Sequence, residues 1–106
     1  MVRRHGTDRA GHEFPEIVKR AVWSRALGAP AKDLREWRQD PCGALINWFH
    51  YGETSERGFG WEIDHILPVA HGGGDDLANL QALQWQNNRR KSDSLEPTGC
   101  AIVAAS

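Results

Sequence analysis

The residues of this chain that could do chemistry are concentrated between Trp61 and Asp93. Asp64 offers a carboxylate oxygen, the kind of ligand that hard divalent cations such as Mg²⁺ take. His65 follows it directly and is the side chain best suited to move a proton near neutral pH. A basic run, Arg89-Arg90-Lys91, supplies the donors that a phosphate needs. A metal ligand, a base and phosphate donors together indicate metal-assisted phosphodiester hydrolysis.

The same stretch resembles the HNH endonucleases, whose pattern is Asp-His-Ile-x-Pro, a Gly-Gly loop, Asn-Leu-x-x-Leu and Asn-x-x-Lys. Every element is present here, in order and at compatible spacing. The four elements are Asp64-His65-Ile66-Leu67-Pro68, Gly72-Gly73, Asn79-Leu80-Gln81-Ala82-Leu83 and Asn88-Arg89-Arg90-Lys91. A lone Asp-His pair would be weak evidence for this resemblance, whereas the full series of four elements is specific evidence. The resemblance covers about Asp40 to Asp93. The residues that precede the motif, from Asp40 to Trp61, look like those of compact bacterial and phage members.

The resemblance implies an α+β protein with a ββα-metal (His-Me finger) core that follows an N-terminal helical segment. By the same resemblance, His65 is the general base that activates water, and Asp64 and Asn88 hold one divalent cation on the scissile phosphate. Asn79 orients the histidine and ties down the loop. The implied products carry 5′-phosphate and 3′-hydroxyl ends, and the implied cofactor is Mg²⁺ or Mn²⁺.

The cysteines depart from the family pattern, because many relatives bind a structural zinc with two Cys-x-x-Cys pairs. The second pair would fall at Gln84 and Asn87, and the first retains at most Cys42. A structural zinc needs four ligands, typically thiolates and imidazoles, so none is expected. Cys42 and Cys100 alone do not make a disulfide framework, and we expect reduced thiols in a cytoplasmic protein.

A length of 106 residues corresponds to one domain at most. The formal net charge is −1. That charge is unusual for a nucleic-acid-binding protein. Both ends of the chain are nevertheless basic and the middle is acidic, so the ends could flank a DNA backbone. We expect no signal peptide and no membrane association, since no apolar run follows the basic start and the apolar end is too short to span a bilayer.

Local patterns divide the chain into four expected segments. These are a flexible basic arm at 1–12, an N-terminal helical segment at 13–39, the HNH nuclease core at 40–96 and a flexible tail at 97–106. Apolar spacing predicts an amphipathic helix from Phe14 to Leu27. One or two helical turns are expected from Asp33 to Arg38, and a strand from Ala44 to Phe49 that forms a hairpin with the strand beginning at Trp61.

Within the core, the pattern predicts a strand at 61–67, a loop at 69–78, a strand at 80–83 and a helix at 85–93. Neighbouring side chains on a regular strand face opposite sides, so we expect the first strand to end or bulge at His65. Three successive glycines in the loop allow positive φ and close phosphate approach. His71 is either an extra ligand or substrate contact or an exposed loop histidine. Asp75 and Asp76 are interpreted as turn and cap residues.

Three functional hypotheses stay open from the sequence. The first is a DNA endonuclease in which His71 and the basic run at 89–91 bind the nucleic acid, with low sequence specificity unless a protein partner supplies it. The second is a non-catalytic HNH-like module that binds nucleic acid. The third is a nuclease for RNA or structured nucleic acid, because a fold does not settle a substrate.

Overall fold

The computed structural model describes residues 3–56, 58–96 and 98–103. The extremities of the expected arm and tail, residues 1–2 and 104–106, lie outside the described residues. The described part is a small α+β structure, which confirms the predicted class. Its helices and strands are α1 (Glu16–Ser24), β1 (Leu27–Gly28), β2 (Trp37–Gln39), β3 (Leu45–Asn47), β4 (Trp61–His65), β5 (Leu80–Gln84) and α2 (Trp85–Lys91).

The unit that carries the motif is a two-stranded antiparallel sheet followed at once by a helix. β4 and β5 pair in continuous register from Trp61↔Gln84 to His65↔Leu80. β4 ends at His65, one of the two outcomes predicted for that position. The side chain of Gln84 accepts hydrogen bonds from two backbone N–H groups of the first turn of α2, at 2.8 and 3.0 Å. This cap starts α2 directly where β5 stops.

The first half of the chain forms a separate three-stranded antiparallel sheet, with β2 between β1 and β3. The predicted hairpin into Trp61 is therefore wrong, because β3 pairs with β2, and an isolated parallel bridge joins Tyr51 to Trp61. Of the helical turns expected at 33–38, one is present, since Trp37 N donates to Asp33 O at 2.8 Å, but the chain then enters β2 at Trp37. Asn47 ends β3 early, because its side chain accepts from Phe49 N at 2.9 Å and opens a 3-10 turn.

The core is an aromatic cluster between α1 and the two sheets. Trp61 is fully buried, and its ring centroid lies 5.1 Å from that of Trp23, 6.0 Å from that of Trp48 and 4.7 Å from that of Tyr51. α1 presents Val22 and Trp23 to this cluster and is shorter than the helix expected from 14 to 27, because the chain leaves it for β1. Large aromatic rings bury much apolar area each, so this cluster fixes α1 against β4.

The expectation of reduced cysteines is wrong, because Cys42 and Cys100 form a disulfide. The bridge joins the turn before β3 to the C-terminal segment. That segment also contacts α2, where the Asn87 side chain donates to Ile102 O at 2.9 Å and accepts from Ile102 N at 2.8 Å. The cysteines are 58 residues apart, so nothing local in the sequence indicates their pairing.

Next to the bridge lies Asp40, a fully buried carboxylate with four hydrogen-bond donors. One oxygen accepts from the backbone N–H groups of Cys42 and Ala44, each at 2.9 Å. The other accepts from Gln84 N at 3.0 Å and from Asn87 Nδ2 at 2.9 Å. A buried charge needs such complete hydrogen bonding, and here it ties β3, β5 and α2 together.

Candidate active site

His65 is the last residue of β4, and its side chain is only 2% exposed. Its Nε2 lies 2.7 Å from Asp75 Oδ1, and its ring packs against Phe14 with centroids 5.9 Å apart. Asp75 in turn accepts from the backbone N–H of Arg9 at 3.0 Å. The imidazole is therefore held on one ring nitrogen by a carboxylate that the N-terminal segment fixes.

Asp75 is the residue that the sequence interpretation missed, since it was taken for a turn residue. The signal that could have found it is an acid ten residues after the Asp-His pair, at the far side of a glycine loop. A loop that folds back on its own strand brings such positions together.

Asn79 closes this loop. Its side chain accepts from Leu67 N at 2.8 Å and donates to Leu67 O at 3.2 Å and Gly74 O at 2.9 Å. Its backbone carbonyl accepts from Ile66 N at 2.8 Å. Among the described residues, none of its side-chain hydrogen bonds reaches the His65 ring. Its hydrogen bonds instead hold the loop that carries Asp75.

Gly73 is the point where the loop touches its own start. Its N–H donates to Pro68 O at 3.0 Å, and a Cβ added there would lie 1.7 Å from Leu67 O. Gly72 beside it has φ of 94°, the left-handed region that favours glycine. The two glycines let the loop close tightly enough to bring Asp75 to His65.

We predict that Gly73→Ala lowers both the stability of the fold and the rate of DNA cleavage, because the new methyl group overlaps a backbone carbonyl. Overpacking of this kind costs about 1–3 kcal/mol or more. The matched control is Gly74→Ala, where the nearest atom to an added Cβ is 4.0 Å away. Thermal unfolding of both variants checks it, and equal melting temperatures for the two would contradict the tight loop closure.

Asp64 precedes His65 and faces the opposite side of β4, toward α2. Its carboxylate accepts from Gln81 Nε2 at 2.9 Å and lies 3.2 Å from Lys91 Nζ. Burial raises the pKa of Asp64, while Gln81 and Lys91 pull it down. Asp64 is thus a buried carboxylate whose ionised form depends on a neighbouring cation.

Asn88 comes to the same face from α2 and is buried. Its Nδ2 donates to Glu62 Oε1 at 2.9 Å, and Arg89 Nη2 reaches the other oxygen of Glu62 at 3.0 Å. Glu62 lies two residues before Asp64, so the two carboxylates share one face of β4. The structure therefore gathers Asp64 and Asn88 on one side of the sheet, with Glu62 as an acid that the sequence interpretation did not single out.

Residues 53–94, which include β4, β5 and α2, match the family model described as HNH endonuclease. Residues 53–94 are therefore similar to HNH endonucleases, and this segment is called the HNH domain. No curated protein and no solved structure matches the chain. The domain points to a nuclease-related function on nucleic acid, and the family typically uses a divalent metal.

The donor set of the HNH domain fits a sparse site for a hard cation. In the described part of the chain, no three or more His, Cys, Asp or Glu side chains are grouped to hold a metal ion. Mg²⁺ does not need such a group, since it keeps several waters and relies on one or two carboxylates plus phosphate. The buried Asp64 carboxylate, with the Asn88 amide on the facing helix, supplies donors of that kind.

The basic run of the HNH domain already has partners inside the protein. Arg89 pairs with Glu62, and Lys91 donates to His65 O at 2.9 Å as well as contacting Asp64. Arg90 Nε donates to Thr98 O at 2.7 Å. Arg89 remains 41% exposed and Lys91 19%. His71 is exposed at the end of a 3-10 turn.

No helix in the described ranges combines the length and the apolar character that a membrane crossing demands.

Proposed function

We propose that the HNH domain is a metal-dependent endonuclease that hydrolyses DNA phosphodiester bonds to 5′-phosphate and 3′-hydroxyl ends. The observation that carries this proposal is the buried His65, fixed through Nε2 at the end of a strand, with the buried Asp64 beside it. The two side chains leave opposite faces of β4 at its last two residues. The proposal requires that one phosphate at that strand end contact the sites of both side chains.

In this proposal His65 takes the proton from the attacking water. Nε2–H donates a hydrogen bond to Asp75 and keeps its proton, which leaves Nδ1 with the lone pair that receives the water proton. Asn79 keeps the loop closed and so keeps Asp75 in place. Phe14 covers the ring and limits its rotation.

Asp64 and Asn88 would hold Mg²⁺ or Mn²⁺, which makes β4, β5 and α2 a ββα-metal core. When bound, such a cation polarises the phosphoryl oxygen and stabilises the leaving 3′-oxygen. Arg89, Arg90 and Lys91 contact substrate phosphates by exchanging their present partners, and His71 is a further substrate contact. Charged side chains at this site then make binding weaker at high salt.

The proposed functional units are the arm at 1–12, the helical segment at 13–39, the nuclease core at 40–96 and the tail at 97–106. A protein partner that supplies sequence specificity is part of this proposal. The prediction of a cytoplasmic protein depends on reduced cysteines, and the disulfide contradicts that premise, since such bridges are rare in reducing compartments.

Incubation of the purified protein with supercoiled plasmid in Mg²⁺, Mn²⁺ or EDTA tests the proposed function. We expect cutting in the metal lanes and none in EDTA, and the ratio of nicked to linear product shows whether one strand or both are cut. Duplex DNA, single-stranded DNA and RNA are digested in parallel. Retained DNA binding without cutting of any substrate would overturn the proposal in favour of a non-catalytic module, and cutting of RNA alone would reassign the substrate.

We predict that Asp75→Asn lowers kcat roughly 10²-fold with little change in KM, because a base that turns away from the reacting atoms loses rate rather than binding. ¹⁵N NMR of the His65 ring should show loss of the single Nε2-protonated tautomer. The control is Asp76→Asn, an exposed acid in the same loop. If the two variants cleave equally well and leave the His65 tautomer unchanged, Asp75 does not position the base.

A further inference from the structure

We propose that a basic cleft formed by α1 and the turn before β2 is a second binding surface for the DNA phosphate backbone, separate from the catalytic site. This inference rests on the proposed function, because the ligand is the DNA that the nuclease would cleave. The cleft encloses about 320 Å³. Its lining residues are Arg20, Trp23, Ser24, Leu34, Arg35, Arg38 and Trp48.

The charge of this part of the chain is what marks the cleft. Residues 16–39 contain six Lys or Arg and three Asp or Glu, whereas the whole chain has a formal net charge of −1. Three of the six cations, Arg20, Arg35 and Arg38, line the same cleft. Guanidinium groups are the donors that fit phosphate oxygens two at a time, so their convergence favours a phosphate rather than a neutral ligand.

Arg38 is the fixed member of the group. Its Nε donates to Leu34 O at 2.9 Å and its Nη1 to Ala26 O at 3.0 Å. Both partners are neutral carbonyls, and Arg38 has no carboxylate partner among the described residues. The guanidinium therefore stays in place with its positive charge uncompensated, as a preformed anion contact would require.

Arg20 and Arg35 are the adaptable members. Arg20 lies 3.2 Å from Glu16 and Arg35 lies 2.8 Å from Asp33, in ion pairs at the protein surface. Exposed ion pairs contribute little free energy, so a phosphate can replace Glu16 at small cost. Arg35 meets Asp33 with two hydrogen bonds, at 3.1 and 2.8 Å, so its exchange costs more. The side chain of Arg35 is 91% exposed and free to reach outward.

The helix α2 gives a reason for a second surface. Its own cations are engaged with Glu62, Asp64 and backbone carbonyls, so fewer positive charges face the solvent there than the sequence suggests. The cleft instead lies beside Trp48 and Trp23, which pack on Trp61 at the start of β4. β4 runs from there to His65, and four residues of strand span roughly 13 Å.

Phe49 adds a feature typical of nucleic-acid surfaces. It follows Trp48 in the chain and is 73% exposed, whereas an aromatic ring of this size is ordinarily buried. Single-stranded or distorted DNA offers base faces that stack on such rings. A protein partner with an acidic segment would use the arginines but has no need of the exposed ring.

The experiment measures DNA affinity in EDTA, where no cutting is expected, as a function of salt. The variants are Arg20→Gln with Arg35→Gln, and Arg20→Lys with Arg35→Lys, each made in the full chain. Arg38 is left intact because it also caps carbonyls. The matched control is Arg25→Gln, an exposed arginine at the end of α1 that does not line the cleft.

We expect the double Gln variant to bind duplex DNA about 10–100-fold more weakly near 0.1 M salt. The slope of log affinity against log salt should become shallower by roughly two, about one for each lost phosphate contact. The double Lys variant should keep the slope, and Arg25→Gln should match wild type apart from the small uniform effect of one lost charge. A double Gln variant with the slope of wild type would overturn the proposal.

A second measurement separates this inference from the proposed function. If the chain binds DNA with the expected variant pattern but never cuts it, the cleft stands and the nuclease proposal falls. If the chain cuts DNA and the double Gln variant changes neither KM nor the salt slope, the nuclease stands and the cleft falls. An acidic peptide that binds the cleft while DNA does not would also overturn the proposal.

Discussion

His65→Ala is expected to lower the rate of metal-dependent DNA cleavage about 10²–10⁴-fold, the usual loss when a general base is removed. His65 is buried and held by Asp75 at 2.7 Å, so no other side chain of the site occupies its place as proton acceptor. Single-turnover cleavage of a short duplex measures the chemical step directly. DNA affinity in EDTA should change little, because the imidazole acts on the water and not on the phosphate backbone.

The matched control is His12→Ala, which removes an exposed histidine of the N-terminal segment. Thermal unfolding of both variants separates a lost base from a lost fold, since His65→Ala also leaves a buried gap beside Phe14. A correctly folded His65→Ala protein that cleaves at the rate of wild type would rule out His65 as the base.

The double variant Cys42→Ser, Cys100→Ser is expected to lose about 2–4 kcal/mol of unfolding free energy. The bridge spans 58 residues, and a cross-link of that length removes much conformational freedom from the unfolded chain. For a domain of this size the melting temperature should fall on the order of 10–20 °C. Scanning calorimetry of the oxidised protein and the double variant measures the difference.

A reductant is the internal control for this prediction. Dithiothreitol should lower the melting temperature of the wild type toward that of the double variant and leave the variant itself unchanged. A wild type that melts at the same temperature with and without reductant, and together with the variant, would show that the bridge does not stabilise the fold.

The second half of the fold could be predicted because its signals are local. β4, the glycine loop, β5 and α2 follow one another within 31 residues, and β4 pairs with the next strand along the chain. The two strands were expected at 61–67 and 80–83, and the helix at 85–93. Apolar alternation, glycines and a polar helix start each act over a few residues, so a single sequence carries them.

The first half could not be predicted in the same way. β1 has two residues and β2 three, too few for any periodic pattern to show. β2 is sandwiched between strands on either side, and such pairings depend on contacts that a local pattern does not contain. The disulfide is the extreme case, because its two cysteines have no common local signature.

In the candidate site, residue types were predictable and partners were not. The motif indicates Asp64, His65, Asn79 and Asn88. The structure puts the first two at the end of β4, Asn79 in the loop that follows and Asn88 against Glu62. The motif did not indicate that Asp75 would hold His65, or that Lys91 would lie against Asp64 instead of facing solvent. Both contacts join residues at least ten positions apart and depend on how tightly the loop and helix close.

The hydrogen bonds of Asp40 have a consequence for every experiment that uses a chelator. Its carboxylate joins Gln84 and Asn87, the two positions at which the resemblance to HNH endonucleases would put the second cysteine pair. The carboxylate belongs to the polypeptide itself, so EDTA has nothing to extract from this junction. We expect the fold to survive EDTA, in which case a loss of cutting reports depletion of the reaction centre and not collapse of the scaffold. Circular dichroism with and without chelator makes that separation visible.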